Sequence, residues 1–514
     1  MESRTARRAT AAFAASALAA PLLLASASPA SATPDPAKKA EALARKLVAK
    51  STAEGAHRHL ERFQAIADSA EGHRAAGSLG HDASAAYVYR TLKKAGYEVS
   101  YDEFEFVYTE TLAEKLTVLA PEQRDVEISA MTYTKSTPEG GVEAALAAVP
   151  VDDTSGCEAA DYEQADVTGK VALIRRGGCS FAEKQAAAAD AGAVAAVVYN
   201  NTEGALSGTI GDAEAGRIPT GGVTQADGEA LVALAAKGGV EVSLEIRELQ
   251  EPRTTRNVVA ETRGGDPGGT VMLGAHLDSV SEGPGINDNG SGSAGLIEVA
   301  LKLADTHDKP ANKVRFAWWS AEENGLLGSE AYVTGLSEQE KKRIPLYLNF
   351  DMIASPNHGT FVYDGDDSDG VGEGPGPEGS AQLEKQITDF LDGRNEPHEG
   401  TDFTGRSDYG PFIEAGIPSG GTFTGAEGIK TEAQAARYGG EAGVAYDPCY
   451  HAACDDLSNI NMKAFDINID IIANAVGTYA HDLSRLGEPV GSAPSDGGAG
   501  SGGGLHDGHG RVTE

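Results

Sequence analysis

The sequence predicts an α/β fold, in which helices flank a mainly parallel mixed sheet and a small β-rich module is inserted. Short apolar runs that are typical of buried strands recur at residues 257–260, 271–275, 314–319 and 347–350. A helical pattern from Gly295 to Ala304 separates two of these runs. Strands that alternate with helices pair in parallel, so functional side chains are expected at the carboxyl ends of the strands.

The first predicted unit of this core is a helix followed by a strand. Asp82 is of a residue type that caps helices, and apolar residues recur after it on one helical face, at Ala85, Val88, Leu92 and Ala95. Gly96 is placed to end the helix, because glycine readily adopts the left-handed conformation found there. A strand is expected to follow from Tyr97.

Four later segments place metal-binding side chains after apolar runs: V-M-L-G-A-H-L-D-S-V-S-E-G-P-G-I-N-D, W-W-S-A-E-E-N-G, L-N-F-D-M and D-P-C-Y-H-A-A-C-D. In chain order they carry His276 with Asp288, Glu322 with Glu323, Asp351, and His451. One such carboxylate alone is as well explained by a helix cap or an ion pair. Four segments of this kind in one chain predict a metal site.

The residue types suit a hydrolase that uses two metal ions. Two divalent cations about 3.5 to 4 Å apart repel each other, so a carboxylate normally lies between them, and imidazole and carboxylate groups complete each site. Five side chains can form that set: His276, Asp288, Glu323, Asp351 and His451. A base must still take a proton from water and pass it to the leaving group. Glu322 lies next to a ligand without being needed as one, so it is free to be that base.

These motifs resemble those of the M28 family of co-catalytic zinc peptidases, especially its secreted bacterial aminopeptidases. The resemblance covers the segments on both sides of an insertion, and it implies the zinc-peptidase fold with two Zn²⁺ per chain. It also implies one zinc held by His276, Asp288 and Asp351, and a second held by Glu323 and His451, with Asp288 as the bridge.

The same resemblance assigns three supporting roles. Glu322 matches the general acid and base of the family. Asp278 matches a carboxylate that orients the imidazole of His276, a role also expected on physical grounds. Tyr450 matches a tyrosine whose hydroxyl stabilises the oxyanion of the tetrahedral intermediate. For Asp278 and Tyr450 the alternative is a local hydrogen bond to the backbone.

The loop from Cys449 to Cys454 and the segment T-D-F-T-G-R-S-D-Y-G-P-F are both similar to segments of secreted bacterial aminopeptidases. This resemblance favours an aminopeptidase over a carboxypeptidase with the same metal core. The resemblance implies that Met352 and Phe423 match residues lining an apolar pocket for the first side chain of the substrate, and that Arg406 would lie beside its free amine. Plain core packing is the alternative for Met352 and Phe423. A receptor-like relative without activity would have lost several ligands. The sequence therefore predicts release of large apolar N-terminal residues.

Between residues 126 and 248 the chain changes character. The run V-A-L-I-R-R-G-G-C-S-F-A-E-K, followed by A-A-A-A-D-A-G-A-V-A-A-V-V-Y-N-N, predicts strand, turn, helix and strand without a ligand-rich motif. It resembles the protease-associated domain, a small β-rich module inserted in several peptidase families. The resemblance implies a lid, a substrate-selecting surface or a protein contact, and an insert that serves stability alone is the alternative.

Four cysteines favour two disulfides in a chain bound for an oxidising compartment. Cys449 and Cys454 flank His451, so a bridge there would restrain the loop that presents this ligand. Cys157 and Cys179 lie in the insert and would pair with each other. Zinc bound by cysteine is disfavoured, because the chain has no C-x-x-C spacing.

The N-terminus predicts export. Basic residues up to Arg8 precede an Ala/Leu-rich stretch from Ala11 to Leu24 and a small-residue cleavage site at residues 30–32. No later segment has the roughly 20 uninterrupted apolar residues of a transmembrane helix, so a secreted, extracellular protein is expected. The net charge of −35 should repel nucleic acid and anionic membranes. We expect a monomer whose partners are peptides or proteins with a free N-terminus.

The predicted organisation has six segments. They are a signal peptide (1–32), a possible pro-segment (33–50), the first peptidase segment (51–125), the protease-associated insert (126–248), the second peptidase segment with the metal site (249–485) and a Gly-rich disordered tail (486–514).

Overall fold

The computed structural model describes residues 35–152, 154–202, 204–370, 374–488 and 490. The predicted signal peptide and nearly all of the predicted Gly-rich tail lie outside these residues. Within the described ranges, no helix is long and apolar enough to cross a membrane.

The helices of the described residues are α1 (Pro36–Val48), α2 (Ala53–Asp68), α3 (Leu79–Ala95), α4 (Phe181–Asp190), α5 (Gln225–Ala235), α6 (Gly292–Thr306), α7 (Leu327–Gly335), α8 (Glu338–Lys341), α9 (Ser380–Asp392), α10 (Gly410–Glu414), α11 (Glu432–Tyr438) and α12 (Met462–Tyr479). The strands are β1 (Glu98–Ala120), β2 (Arg124–Val126), β3 (Ser129–Ala130), β4 (Val142–Ala148), β5 (Val171–Arg175), β6 (Ala195–Tyr199), β7 (Thr220–Val223), β8 (Glu241–Glu261), β9 (Asp266–His276), β10 (Asn312–Trp319), β11 (Leu346–Phe350), β12 (Phe361–Tyr363), β13 (Glu399–Thr401) and β14 (Ser419–Phe423).

The strands confirm the predicted sheet. In the peptidase region their order is β13-β12-β14-β11-β9-β10-β8, and β1 pairs with β8. β9 is parallel to β10 and to β11, and β11 is parallel to β14. β8 and β12 add antiparallel pairs, which makes the sheet mixed. Because β9, β10 and β11 run in the same direction, their carboxyl ends meet at one edge.

Both faces of this sheet are covered. Successive side chains of a strand point to opposite faces. On β10, Phe316 and Trp318 therefore enter the large core that contains residues of α1, α2, α3, α6 and α12. Ala317 and Trp319 face the other way, into an aromatic core with Tyr347 and Phe412. Burial on both faces explains the continuous apolar runs of these strands.

The first helix-strand unit differs from the prediction at its start. Asp82 is not the cap, because the helix begins at Leu79 and the Oγ of Ser78 accepts the N–H of His81 at 3.2 Å. Asp82 lies in the first turn, where its Oδ1 is 3.1 Å from an Nη of Arg256 on β8. The carboxylate of Asp82, which the local pattern assigned to capping, thus forms a tertiary ion pair instead. The predicted end is confirmed, since Gly96 is left-handed with φ of 101°.

Most of the predicted pro-segment forms α1, which packs along α12. Leu43, Ala44 and Leu47 are buried, and a Cβ on Gly477 of α12 would collide with the backbone of Ala44. Whether this helix is removed after export stays a prediction, and its loss would uncover an apolar face of the core.

The insert shares its sheet with the peptidase region through one long ribbon. β1 and β8 pair antiparallel from Glu98 and Glu261 to Ala120 and Glu241, and β4 then pairs with β8. β4, β5, β6 and β7 are parallel neighbours covered by α4 and α5. The predicted boundary at residue 248 lies inside β8, which continues from one core to the other. The Cys157–Cys179 disulfide of the insert is confirmed.

Candidate metal centre and active site

Several of the predicted site residues meet at the carboxyl edge of the peptidase sheet. His276 is the last residue of β9, and Asp351 directly follows β11, a parallel neighbour of β9. Glu322 and Glu323 follow β10, which is parallel to β9 on its other side. These apolar strands fix the positions of the side chains that leave their ends.

Asp288 lies at the centre of the cluster, and each of its oxygens faces a different imidazole. Its Oδ1 is 3.2 Å from Nε2 of His276, and its Oδ2 is 3.3 Å from Nε2 of His451. The same nitrogen of His276 is 3.2 Å from Oδ1 of Asp351. That of His451 is 3.0 Å from Oε2 of Glu323. Each imidazole therefore has two carboxylates beside it, and Asp288 is common to both.

These separations suit zinc. Zinc bonds to histidine nitrogen and carboxylate oxygen are about 2.0 to 2.2 Å long, and tetrahedral angles then place two ligand atoms about 3.3 Å apart. The separations of 3.0 to 3.3 Å around His276 and His451 match this value. The donor set, two imidazoles and three carboxylates, is one that zinc prefers.

Buried negative charge makes the centre favourable for cations. Burial raises the pKa of Glu322 well above its ordinary value and also raises that of Glu323. For His276 and His451, burial alone would lower the pKa, but the facing carboxylates raise both values well above the ordinary one. Charges that water cannot solvate need partners, and a divalent cation bound among these carboxylates would supply one.

Glu322 lies beside the ligands and is fully buried. Its Oε2 is 3.9 Å from Nε2 of His276, and neither of its oxygens accepts a hydrogen bond from the described residues. Asp278 accepts the backbone N–H groups of Glu322 and Glu323 at 3.3 and 3.4 Å. Nδ1 of His276 is 3.2 Å from the backbone carbonyl of Asp278 and 3.7 Å from its Oδ1. Asp278 thus connects the His276 ring to the turn that carries both glutamates.

A disulfide closes the loop that presents Tyr450 and His451. The Cys449–Cys454 pair is confirmed, and its two cysteines are only five positions apart in the chain. The two rings stack with centroids 3.8 Å apart. Burial, and next the charge of Glu427, raise the pKa of Tyr450 well above its ordinary value. The hydroxyl therefore keeps its proton and can donate a hydrogen bond to an oxyanion.

The loop between the proposed ligands His276 and Asp288 is held by a buried cation. Arg74 is fully buried, and its backbone N–H donates to Oγ of Ser279 at 2.9 Å. Its guanidinium donates to three backbone carbonyls of the loop, those of Leu277, Pro284 and Gly285. One side chain from outside the loop thus fixes the loop at both of its ends.

Two buried aspartates hold the same loop from the side of the disulfide. Asp455 accepts the backbone N–H of Asn287 at 2.8 Å and that of Asp288 at 3.0 Å. Asp447 accepts from Nδ2 of Asn287 at 2.6 Å. Nδ2 of Asn459 donates to both aspartates. The backbone of Asp288 is therefore tied to the segment that carries His451.

The predicted substrate residues have different surroundings. Arg406 has a side chain that is 16% exposed, and its Nη2 is 3.9 Å from Oε1 of Glu427. Phe423 is partly exposed, and its ring centroid is 6.3 Å from that of Phe361. Met352 is completely buried, with a left-handed backbone at φ of 45°. Lining of a specificity pocket by Met352 and Phe423 stays a prediction.

Sequence reasoning missed several buried polar residues around the centre. Ser407 and Asp408 belong to the segment T-D-F-T-G-R-S-D-Y-G-P-F, so the signal was present but was used only for the arginine. Burial raises the pKa of Asp408 to about 8. Asp447 and Asp455 are the first and last residues of the segment D-P-C-Y-H-A-A-C-D, so a signal was present there too but was used only for the residues between them. Arg74 gave no local signal, because it acts on a loop that is distant in the chain.

Comparisons with known proteins identify the family of the chain. A profile of peptidase family M28 matches residues 257–476, and a PA domain profile matches residues 142–231, within the predicted insert. The leucine aminopeptidase 2 of Trichophyton tonsurans is 47% identical over 425 residues, which is 82% of this chain and 83% of the relative. The probable leucine aminopeptidase 2 of Aspergillus oryzae is 48% identical over 434 residues, 83% of this chain and 85% of the relative.

Solved structures give the same result. An aminopeptidase from Aneurinibacillus sp. strain AM-1 has a TM-score of 0.68 at 28% identity and covers 84% of this chain and 95% of its own. A zinc aminopeptidase from Bacillus subtilis has a TM-score of 0.60 at 27% identity and covers 83% of this chain and 94% of its own. The predicted family is confirmed: the chain belongs to peptidase family M28 and carries a PA domain inserted in its peptidase region.

Proposed function

We propose that this chain is a secreted aminopeptidase that binds two Zn²⁺ and releases large apolar residues from the N-terminus of peptides. One observation supports the binding of two metal ions. Asp288 turns one oxygen to each of two imidazoles, at 3.2 and 3.3 Å, and each imidazole has a second carboxylate beside it. The names of the relatives, leucine aminopeptidase and zinc aminopeptidase, support the choice of substrate end and metal.

In the proposed centre, His276, Asp351 and Asp288 would hold one zinc, and His451, Glu323 and Asp288 would hold the other. Bound zinc supplies Lewis acidity at the scissile carbonyl and makes water more acidic. Glu322 takes a proton from the attacking water and then passes it to the leaving amine. Its burial, which raises the pKa, makes it a competent proton acceptor beside the ligands. The hydroxyl of Tyr450 donates to the oxyanion that forms on the carbonyl.

The free amine of the substrate supplies the specificity for the N-terminus. An α-ammonium group is attracted by the carboxylates that surround the metal ligands, and an N-acylated peptide has no such charge. Arg406 is proposed to lie beside this amine, with Met352 and Phe423 along the first side chain. We propose that the insert contributes to substrate access and performs no chemistry.

Metal dependence is the first test. Removal of metal with a chelator should abolish hydrolysis, and added Zn²⁺ should restore it. In the proposed mechanism the bound metal ion is the group that polarises the scissile carbonyl. Metal analysis of the dialysed protein should give two zinc ions per chain, and Asp288→Asn should give fewer. Full activity after verified removal of metal would contradict the proposal.

The second test identifies the end of the peptide that is attacked. Peptides with a free N-terminal Leu, Met or Phe should lose that residue, and acetylation of the α-amine should stop cleavage. Amidation of the C-terminus should have little effect, which makes the amidated peptide the matched control. Cleavage of the acetylated peptide combined with sensitivity to amidation would assign the enzyme to the carboxypeptidases, with the same metal ligands.

Export and oligomeric state are also proposals. The N-terminal pattern of residues 1–32 and the two disulfides support an exported protein. N-terminal sequencing of protein from the culture medium should begin after Ala32, or later if the pro-segment is removed. Sedimentation should give the mass of a monomer.

A further inference from the structure

A continuous chain of hydrogen bonds runs from the aromatic core of the sheet to the proposed ligand Asp351. The indole N–H of Trp319 donates to the hydroxyl of Tyr347 at 2.8 Å, and this hydroxyl donates to Oδ1 of Asn349 at 2.9 Å. Nδ2 of Asn349 donates to Oγ of Ser407 at 2.8 Å, and Ser407 donates to Oδ2 of Asp351 at 2.6 Å. None of the five residues is more than 4% exposed.

The chemistry of the two ends fixes the direction of every bond in this chain. The indole nitrogen of Trp319 can only donate, and an ionised carboxylate can only accept. Tyr347 must therefore use its single proton toward Asn349, and the amide of Asn349 must point its oxygen to Tyr347 and its nitrogen to Ser407. The single proton of Ser407 is then committed to Asp351. Hydrogen bonds that point the same way polarise one another.

The strand between the two aromatic residues has no side chain at the crossing point. Trp319 lies on β10 and Tyr347 on β11, and β9 runs between them. Gly274 of β9 pairs with Asn349, and a Cβ on Gly274 would lie 2.5 Å from Nε1 of Trp319 and would also collide with the hydroxyl of Tyr347. A glycine two residues before His276 thus permits the two side chains to meet across a strand.

Ser407 contacts one oxygen of Asp351, and the other oxygen faces the metal centre. Oδ2 accepts from Ser407, and Oδ1 is 3.2 Å from Nε2 of His276. The hydrogen bond fixes the rotation of the carboxylate, so that a single oxygen is presented to the metal ion. Partners that orient ligands in this way typically change metal affinity by about 10- to 100-fold when they are removed.

We propose that the series of hydrogen bonds that begins at Trp319 and ends at Ser407 positions Asp351. It thereby sets the affinity for the metal ion that Asp351 holds. The inference rests on the proposed function, because it requires Asp351 to be a metal ligand. Ser407, Asn349 and Tyr347 are positioning residues in this proposal, and they contact neither substrate nor metal.

The test measures Zn²⁺ binding to the full-length apoprotein by competition with a chelator. Ser407→Ala should raise the dissociation constant of one of the two ions by about tenfold or more and leave the other ion unchanged. Tyr347→Phe should shift the same ion by a smaller factor, and its ring should keep the stacking on Phe412, whose ring centroid is 3.8 Å away. Wild-type affinity in both variants would overturn the proposal.

A double variant tests whether the residues act as a chain. Tyr347→Phe should have no further effect on zinc affinity in the Ser407→Ala background, because the connection to Asp351 is already broken. If the two substitutions changed zinc affinity additively, or if Ser407→Ala changed it and Tyr347→Phe did not, the proposal that the residues act as a connected series would be wrong.

Two controls separate this inference from folding defects and from the proposed function. Ser84→Ala removes another buried hydroxyl, one that donates to Gly80 within α3, and should leave both zinc affinities unchanged. Equal shifts in Ser84→Ala and Ser407→Ala would mean a general loss of stability and would overturn the proposal. Asp351→Ala should lose one zinc ion. If it keeps both, the ligand assignment itself fails, whereas loss of zinc in Asp351→Ala with normal binding in Ser407→Ala overturns only the positioning role.

Discussion

The two sides of the proposed metal centre are built differently. The buried half consists of His276 and Asp351, which leave the ends of two parallel strands and are at most 1% exposed. The open half consists of Glu323 and His451, which come from a turn and from a disulfide loop. The side chain of His451 is 37% exposed. Asp288 belongs to both halves.

One half of the centre is therefore rigid, and the other is accessible to a peptide substrate. Strand ends of a sheet with two covered faces hold ligands with little freedom, whereas loops leave room for a peptide to enter. The loop of the open half is restrained by other means, a disulfide and the contacts of Asp447 and Asp455 with the Asp288 segment. The open half is therefore the side on which local changes are expected to alter metal exchange without damage to the fold.

The largest expected effect is on chemistry at Glu322, which lies in the same turn as Glu323 but is fully buried. Glu322→Gln keeps the shape of the side chain and removes the base, so kcat should fall by about 10² or more while zinc content stays at the wild-type level. Steady-state kinetics together with metal analysis would measure both. Glu330→Gln, on the exposed side of α7, is the matched control and should be active. Unchanged turnover in Glu322→Gln would make Glu322 a structural residue.

The second prediction concerns the contacts that hold the loop between His276 and Asp288. Arg74→Met removes a buried guanidinium and leaves three backbone carbonyls without their donor. Since breaking a buried charged contact costs about 3 to 5 kcal/mol, the free energy of unfolding should fall by about this amount. Denaturant unfolding of the metal-free protein would measure it. Arg263→Met is the control, because that side chain is 64% exposed, and it should change stability little.

The sequence predicted the ligands of the buried half better than the residues that hold them in place, and the reason is physical. His276 and Asp351 follow apolar runs directly, so one local pattern shows both the strand and the ligand. Arg74 lies more than 200 positions from its partners, and no periodicity connects them. Ser407 acts through its contact with Asp351, 56 positions earlier in the chain. Such contacts exist only after the sheet has formed.

The start of α3 shows the same limit on a smaller scale. Ser78 and Asp82 are both good capping residues, four positions apart, and local preference does not choose between them. The ion pair of Asp82 with Arg256 on β8 favours the earlier start. The fold class depends on many consistent residues, and for that reason it was predictable where single boundaries were not.

The smallest expected effect on stability concerns the open half. A disulfide whose ends are five positions apart closes a short loop, so loss of Cys449–Cys454 should lower the free energy of unfolding by about 2 kcal/mol. His451, which this loop holds at a left-handed φ of 53°, should then bind its zinc ion less tightly. We expect the double variant Cys449→Ser, Cys454→Ser to lose one zinc ion to a chelator more readily and to keep the other as the wild type does.

The second disulfide of the chain is the matched control for this variant. Cys157–Cys179 spans 22 positions in the insert, so its removal should cost more stability, about 3 kcal/mol, because a longer loop is released in the unfolded state. It should nevertheless leave the release of both zinc ions unchanged, since no proposed ligand lies in the insert. If loss of the insert disulfide altered zinc release as much as loss of Cys449–Cys454, zinc retention would follow global stability. The distinction between a buried and an open half would then have no support.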